Sequence, residues 1–182
     1  GPHRLYCGDA SIEGVWDQLL PDGERLQLVW TDLPYGVAYV GGNQGVMSST
    51  LRKTMGGMTI DNDERTPEEM TGFLDATLDP VVKACAPGAS WYMAAPAGPM
   101  HQVFGAWLVK HGIWHQSLVW LKDAFVFARR DYHYRHEPLF FGWLPGAAHT
   151  WEGGSAKDTV LVFPRPTASK IHPTMKPIAR SQ

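Results

Sequence analysis

Asp32 and Tyr35 bring a carboxylate and a phenol to one short stretch, Thr31-Asp32-Leu33-Pro34-Tyr35-Gly36. The stretch follows Leu26 to Trp30, an apolar run of strand length. A buried strand ends on rigid backbone, so the two side chains emerge together at a fixed place. There the carboxylate can accept hydrogen bonds and the ring can stack on a planar group. Asp, Pro, Tyr and Gly are also a plain turn signal, so the stretch alone supports both readings. A second concentration lies between Phe127 and Pro138, where Arg129, Arg130, His133, Arg135 and His136 alternate with Tyr132 and Tyr134. Arginine forks pair with guanine edges or phosphates, and tyrosines stack or bond to the backbone. A solvated charged loop has the same composition. Lys122 fits a phosphate contact and a simple surface lysine equally. His133-Xaa-Xaa-His136 has a metal-ligand spacing, but no cysteine or further ligand completes a site.

The elements that must position these residues read as alternating strands and helices. Ser11 is placed to cap a short helix carrying Ile12, Val15, Trp16 and Leu19 on one face. Thr66-Pro67-Glu68-Glu69 combines a cap, a proline at the first helical position and a capping-box glutamate. Met70, Phe73, Leu74 and Leu78 continue it at helical spacing, and Pro80 is expected to kink or end it. Pro87-Gly88 reads as a turn and Ser90 to Ala94 as a buried strand. His101 to Lys110 reads as a helix stopped by Gly112. Gly112 also speaks against a helix joining His111 to His115. Ser117 to Leu121, Leu139 to Trp143 and Thr159 to Phe163 read as strands. The alternation predicts an α/β layer fold with a largely parallel sheet, whose ligands sit at the carboxyl ends of strands. That rule points to the loop at Asp32. Val40 to Ser49, rich in Gly and small polar residues, fits either a lid over that loop or an ordinary irregular segment. It is not a phosphate loop, because no Gly-Lys-Ser/Thr follows.

Several of these stretches together resemble a known family. Asp32 to Tyr35 resembles the Asp-Pro-Pro-Tyr motif of amino methyltransferases, and His172-Pro173-Thr174-Met175-Lys176-Pro177 resembles their His-Pro-Thr-Xaa-Lys-Pro motif. Leu5 to Asp9, Leu118 to Asp123 and Asp131 to Pro138 are similar to a phage and bacterial DNA-methylase subgroup. The order of these elements is that of the β-type permutation, and the likeness spans nearly the whole chain. It implies a Rossmann-like, S-adenosylmethionine-dependent methyltransferase fold and an adenine-N6 DNA methyltransferase activity, linked to restriction and modification. The N6 lone pair of adenine is delocalised into the ring, so the amine is a poor nucleophile. By the resemblance, Asp32 accepts one N6 hydrogen and the Leu33 carbonyl the other, which localises the lone pair toward the methyl group. Orientation and fixed electrostatics are the main contributions. Pro34 keeps Leu33 extended. Tyr35 stacks on the flipped base, a contact worth about 1–3 kcal/mol. Leu33 departs from the family's proline, which the main-chain role tolerates. Asp at position 32, instead of Ser, favours adenine over cytosine-N4.

The same resemblance places Asp9 and Ala10, Asp61 and Asn62, and His172, Pro173, Thr174 and Lys176 around S-adenosylmethionine. For Asp61 to Asp63 a solvated turn before the helix is an equal alternative. The family's Gly-rich donor turn, Phe-Xaa-Gly-Xaa-Gly, occurs nowhere in the sequence. A fold incomplete at its C-terminal side and weak donor binding by this chain alone are therefore expected. Lys122, Arg129, Arg130, Tyr132, His133 and Arg135 become the expected contacts to double-stranded DNA, within a target-recognition region at 123–160 of a catalytic domain at 4–182. A homodimer or a complementing donor-binding chain is a further expectation, because exposed strand edges need cover.

Composition sets the outer bounds. The 182 residues suit a single domain, with 44% apolar and 19% charged residues, an ordinary globular balance. Gly1-Pro2-His3 resembles a protease scar left by tag removal. No apolar run approaches the ~20 residues of a membrane span. Cys7 and Cys85 make no disulfide framework, and each is expected to be a small buried side chain in a reducing cytoplasm, of a bacterial or phage-infected cell by the resemblance. The net charge is −2, so contact with DNA must come from a local basic patch. An inactive methylase-like DNA-binding module, one half of a split enzyme, and an RNA or protein amino methyltransferase are the alternative functions.

Overall fold

The computed structural model describes residues 3–12, 14–36, 64–125 and 131–164. Their elements, in chain order, are α1 (Val15–Leu19), a 3-10 turn (Pro21–Gly23), β1 (Leu26–Thr31), α2 (Pro67–Ala84), β2 (Cys85–Ala94), α3 (His101–Lys110), β3 (Trp114–Leu121), β4 (His136–Trp143) and β5 (Val160–Val162). The five strands form one sheet in the order β1-β2-β4-β3-β5. β1 and β2 pair parallel, as do β3 and β5, while β4 runs antiparallel to both of its neighbours. Four strands therefore share one direction, but two of the four pairings are antiparallel, so the sheet is mixed where the alternating pattern predicts a largely parallel one. β4 is the exception. The described part of its connection from β3 holds no helix, and a parallel return would need a long crossover.

α2 starts as its sequence requires. Thr66 Oγ accepts from the Glu69 N–H at 3.2 Å, and Glu69 Oε2 accepts from the Thr66 N–H at 2.8 Å. Such a cap is worth about 1 kcal/mol. The expected break at Pro80 does not occur, and α2 continues to Ala84. Pro80 offers no N–H to the turn before it, but Leu78, Val81 and Ala84 are buried and their packing holds the last turn. Ser11 is not the cap of α1. Its N–H and hydroxyl both bond to Asp9 Oδ1, and Gly14, at φ +91°, stands at the N-cap. The turn expected at Pro87-Gly88 is a bulge inside β2, between the pairs Leu26↔Cys85 and Leu28↔Ser90. α3 matches its expected bounds, and Gly112 follows at φ +66°. His111 ends α3 and His115 lies in β3, so Gly112 does separate them.

α2 and α3 cover one face of the sheet. Met70, Leu74, Phe104 and Leu108 are 0% exposed and pack with Trp91, Met93, Ile113 and Phe140. Lys110 Nζ to Asp75 Oδ1 at 2.8 Å ties the two helices, and His111 Nε2 lies 3.2 Å from Asp79 Oδ1 nearby. The core also demands a glycine at 142. A Cβ there would stand 1.7 Å from the Ile113 carbonyl oxygen, where β3 carries its bulge. The other face carries an aromatic row, Trp30, Tyr92, Phe141 and Trp151, each ring within 6 Å of the next. An open groove there is lined by Leu28, Tyr92, Leu118, Phe141, Trp151 and Leu161, away from the loop at Asp32. Of the two cysteines, Cys85 is buried, which pushes its thiol up to about 11, whereas Cys7 is exposed. The expectation of two buried cysteines fails at Cys7, because the segment around it is exposed along its length. No helix among the described residues is long and apolar enough to cross a membrane.

Candidate active site

The sheet brings four chain segments to one edge. β1 delivers Asp32 to Gly36, β2 delivers Ala95 to Gly98, β3 delivers Lys122, and the reversed β4 starts there with His136 and Glu137. Position 95 is fully buried, and its N–H bonds to the Pro138 carbonyl at 3.1 Å, which locks the end of β2 to the start of β4. The segment after β2 is built of Ala, Pro and Gly, so little side-chain bulk fills this end of the sheet.

Asp32 is exposed at the strand end and Tyr35 is half-buried. The Tyr35 ring meets Phe104 edge-on at 6.3 Å. Its hydroxyl donates to Glu137 Oε2 at 3.4 Å, with the Asp32 carboxylate also beside it. Burial, then the negative charges of Asp32 and Glu137, raise the phenol's pKa far above its ordinary value. Tyr35 therefore stays protonated and acts as a donor. Gly36 turns the chain away at φ +69°, with its carbonyl accepting from the Arg65 N–H at 3.4 Å. A Cβ at Gly36 would meet the Met70 methyl at 2.5 Å, so the turn is tight as well as left-handed.

Lys122 Nζ donates to Glu137 Oε1 at 2.6 Å, with side chains only 12% and 21% exposed. The ammonium also lies 4.9 Å from the centre of the Trp120 ring. Two further bonds brace it: the Lys122 N–H reaches the Arg135 carbonyl at 2.9 Å, and Arg135 Nε reaches the Lys122 carbonyl at 3.0 Å. Lys122 and Arg135 thus sit together beside the Asp32–Tyr35 loop. Tyr132 is 90% exposed. His133 stacks on Phe125 at 5.1 Å, and His136 faces the edge of Tyr134. Arg129 and Arg130 lie outside the described residues.

Of the residues expected around a donor, Asp9 and Ala10 are described. The Asp9 carboxylate sits in an exposed turn, and the Ser11 hydroxyl and N–H hold it below the usual carboxylate range. Among the described residues it meets no group at the β1 end. Asp61, Asn62, His172, Pro173, Thr174 and Lys176 lie outside the described residues, as does the segment Val40 to Ser49. The region 123–160 contains β4, a strand inside the sheet, so its described parts outside the sheet are 123–125, 131–135 and 144–159. Glu137 was missed as a site residue. Its signal was faint: it belongs to the His136-Glu137-Pro138 stretch, and only the β3–β4 ladder carries it to Tyr35.

Similarity to solved structures agrees with this architecture. A crystal structure of the M1.HpyAVI–SAM complex matches 96% of this chain over 71% of its own, with a TM-score of 0.58 and 16% identity. A second M1.HpyAVI crystal structure matches 91% over 69% of its length, at TM-score 0.51 and 13% identity. The cytosine-N4-specific PvuII DNA methyltransferase matches 90% of this chain over 58% of its own, at TM-score 0.56 and 12% identity. The chain has the Rossmann-like methyltransferase fold. No protein-family model and no curated protein matches the sequence. Within the methyltransferase fold, Asp32 and Tyr35 occupy the carboxyl end of a parallel strand, the place where α/β sheets bind their ligands.

Proposed function

We propose that this chain is the catalytic and target-recognition segment of a DNA methyltransferase that moves a methyl group from S-adenosylmethionine to the N6 amine of a flipped adenine in double-stranded DNA. The observation that carries the reading is Asp32 and Tyr35 side by side at the carboxyl end of β1, in a methyltransferase fold. Asp32 accepts one amine hydrogen and the Leu33 carbonyl the other. No proton need leave before the methyl transfers, so the contribution is alignment and a fixed negative charge beside the developing positive nitrogen. Pro34 holds Leu33 extended, and Tyr35 forms the wall against which the base is held.

The basic residues beside this loop supply the DNA contact. Arg135, Tyr132 and His133 are proposed as DNA contacts in a recognition region at 123–160, and Arg129 and Arg130, outside the described residues, as further contacts by their place in the sequence. Lys122 is proposed as a further DNA contact at the same place, although its pair with Glu137 offsets much of its charge. Asp9, Ala10, Asp61, Asn62, His172, Pro173, Thr174 and Lys176 are proposed as the donor-contacting residues. A homodimer or a complementing chain is proposed to complete donor binding, in the cytoplasm of a bacterial or phage-infected cell. Cytosine-N4 is the second reading for the acceptor, favoured by the similarity to a cytosine-N4-specific enzyme.

The test is single-turnover transfer from labelled S-adenosylmethionine to duplex DNA, followed by digestion and separation of N6-methyladenine from N4-methylcytosine. Label in N6-methyladenine supports the proposal. Label in N4-methylcytosine replaces the acceptor, and no label in any duplex from a donor-competent form, in which the donor site is completed, refutes the activity. A calorimetric titration with S-adenosylmethionine measures how much of the donor site this chain carries. Millimolar or weaker binding is expected without the Gly-rich turn.

A further inference from the structure

Where α2 and α3 pack together, three metal-ligating side chains meet. Asp75 and Asp79 stand four positions apart on α2, so both carboxylates share one face of that helix. His111 is the residue that ends α3. Each offers one ligand atom, and the three atoms lie within 4.8 Å of one another. Asp79 Oδ1 and His111 Nε2 are 3.2 Å apart. Both atoms are buried, yet neither makes a hydrogen bond. The distance is short enough for one, so what the pair lacks is a proton aligned between the two atoms. Two ligands of one tetrahedral ion have that same relation. At about 2.0–2.1 Å from a zinc ion they stand about 3.3 Å apart, with the ion off the line that joins them.

We propose that Asp75, Asp79 and His111 form a binding site for a divalent transition cation of the zinc type, which clasps the C-terminal end of α3 to α2. Two carboxylates and an imidazole are a donor set that suits zinc, whereas magnesium and calcium sites are built of oxygen ligands. Three protein ligands leave the fourth tetrahedral position to water. The side chains of Asp75, Asp79 and His111 are 37%, 39% and 18% exposed, so the ion reaches them from solvent. The Trp107 ring lies against the His111 ring, with centres 4.2 Å apart, and limits how the imidazole turns. Lys110 Nζ holds Asp75 Oδ1 at 2.8 Å, so the cation competes with an ammonium at that carboxylate. Asp79 and His111 are therefore the firm pair, and Asp75 is the ligand that must be won from Lys110. The ten residues of α3 span about 15 Å, and the Ala95 to Gly98 segment of the candidate active site lies before its first turn, so His111 stands at the far end of the helix. The proposal does not rest on the methyltransferase reading.

Calorimetric titration of the chelator-treated full chain with zinc chloride tests this. The parent is expected to bind one equivalent at about micromolar concentration, and saturating zinc is expected to raise its urea midpoint, because the ion favours the folded chain. Asp79→Asn keeps the side-chain shape and removes the anionic ligand, and His111→Gln removes the imidazole. Each is expected to weaken binding about tenfold or more. Lys110→Met removes the competing ammonium and is expected to tighten binding about twofold to fivefold, a gain that misfolding does not produce. No binding by the parent at millimolar zinc overturns the proposal and leaves Asp79 and His111 as a plain ion pair. Parental affinity in both ligand variants also overturns it, because the ion is then held by other histidines or cysteines of the chain. Unchanged or weaker binding by Lys110→Met overturns it too, because Asp75 then gives the ion no ligand.

Discussion

The Tyr35 hydroxyl stands 3.4 Å from Glu137 Oε2, although 102 positions separate the two residues in the chain. The contact joins the end of β1 to the start of β4 across the end of β2. It makes the loop after β1 part of a four-residue line, Asp32–Tyr35–Glu137–Lys122, and the consequences of disturbing that line are measurable.

In a donor-competent form, replacing Asp32 with Ala is expected to abolish methyl transfer while leaving duplex binding largely intact, because in the proposed site Asp32 meets the acceptor amine and carries no positive charge toward the duplex. Positioned acid–base groups typically supply about 10²–10⁴-fold. Single-turnover rates with labelled donor provide the check. A variant keeping more than about a tenth of the parental rate would remove Asp32 from the proposed role.

Alkaline stability should report on Tyr35. Its pKa is raised in the folded chain, so the neutral phenol is favoured by folding. The unfolded phenol loses its proton near pH 10, as model peptides do. Above that pH the unfolded state binds fewer protons than the folded state, so stability falls as pH rises. Below it the Tyr35 contribution is fully present. Tyr35→Phe is expected to flatten this alkaline decline, read as the unfolding midpoint between about pH 9 and pH 11. Identical slopes in parent and variant would mean that the buried phenol ionises as easily as a free one.

Duplex binding should depend on Arg129, Arg130 and Arg135. The chain carries a net charge of −2, so under the proposed function these arginines are the expected local source of attraction. Changing all three to Ala is expected to weaken binding and to flatten its dependence on salt, by up to about one unit of slope for each phosphate that an arginine had neutralised. Affinity measured across a salt series decides, and an unchanged slope moves the recognition surface elsewhere.

Gly142→Ala should be among the most destabilising single-methyl additions in the protein. The added carbon would lie 1.7 Å from the Ile113 carbonyl oxygen, and the β3–β4 ladder must separate to admit it. A destabilisation of about 1–3 kcal/mol is expected from overpacking of this kind, with the lower part of the range reached only if the strands relax. Urea unfolding gives the value. A change below about 0.5 kcal/mol would show that the bulge opposite Gly142 yields easily.

Much of the local structure was legible in the residues themselves. The capping box at Thr66 to Glu69, the bounds of α3 and the strand before Asp32 follow from short-range hydrogen bonding and apolar spacing, which act within a few positions. Even the place of Asp32 and Tyr35 followed, because a strand running into Asp-Xaa-Pro-Tyr-Gly can only end there. Pro80 misled because burial of Leu78, Val81 and Ala84 outweighs one missing hydrogen bond. Ser11 misled because Asp9 competes for it. What only the tertiary structure decided is which side chain meets Tyr35. β4 enters the sheet reversed between β2 and β3, and that long-range pairing brings Glu137, not its own neighbours in the chain, to the phenol. No local propensity encodes that choice, because the partners of a sheet strand are selected by packing across the whole core.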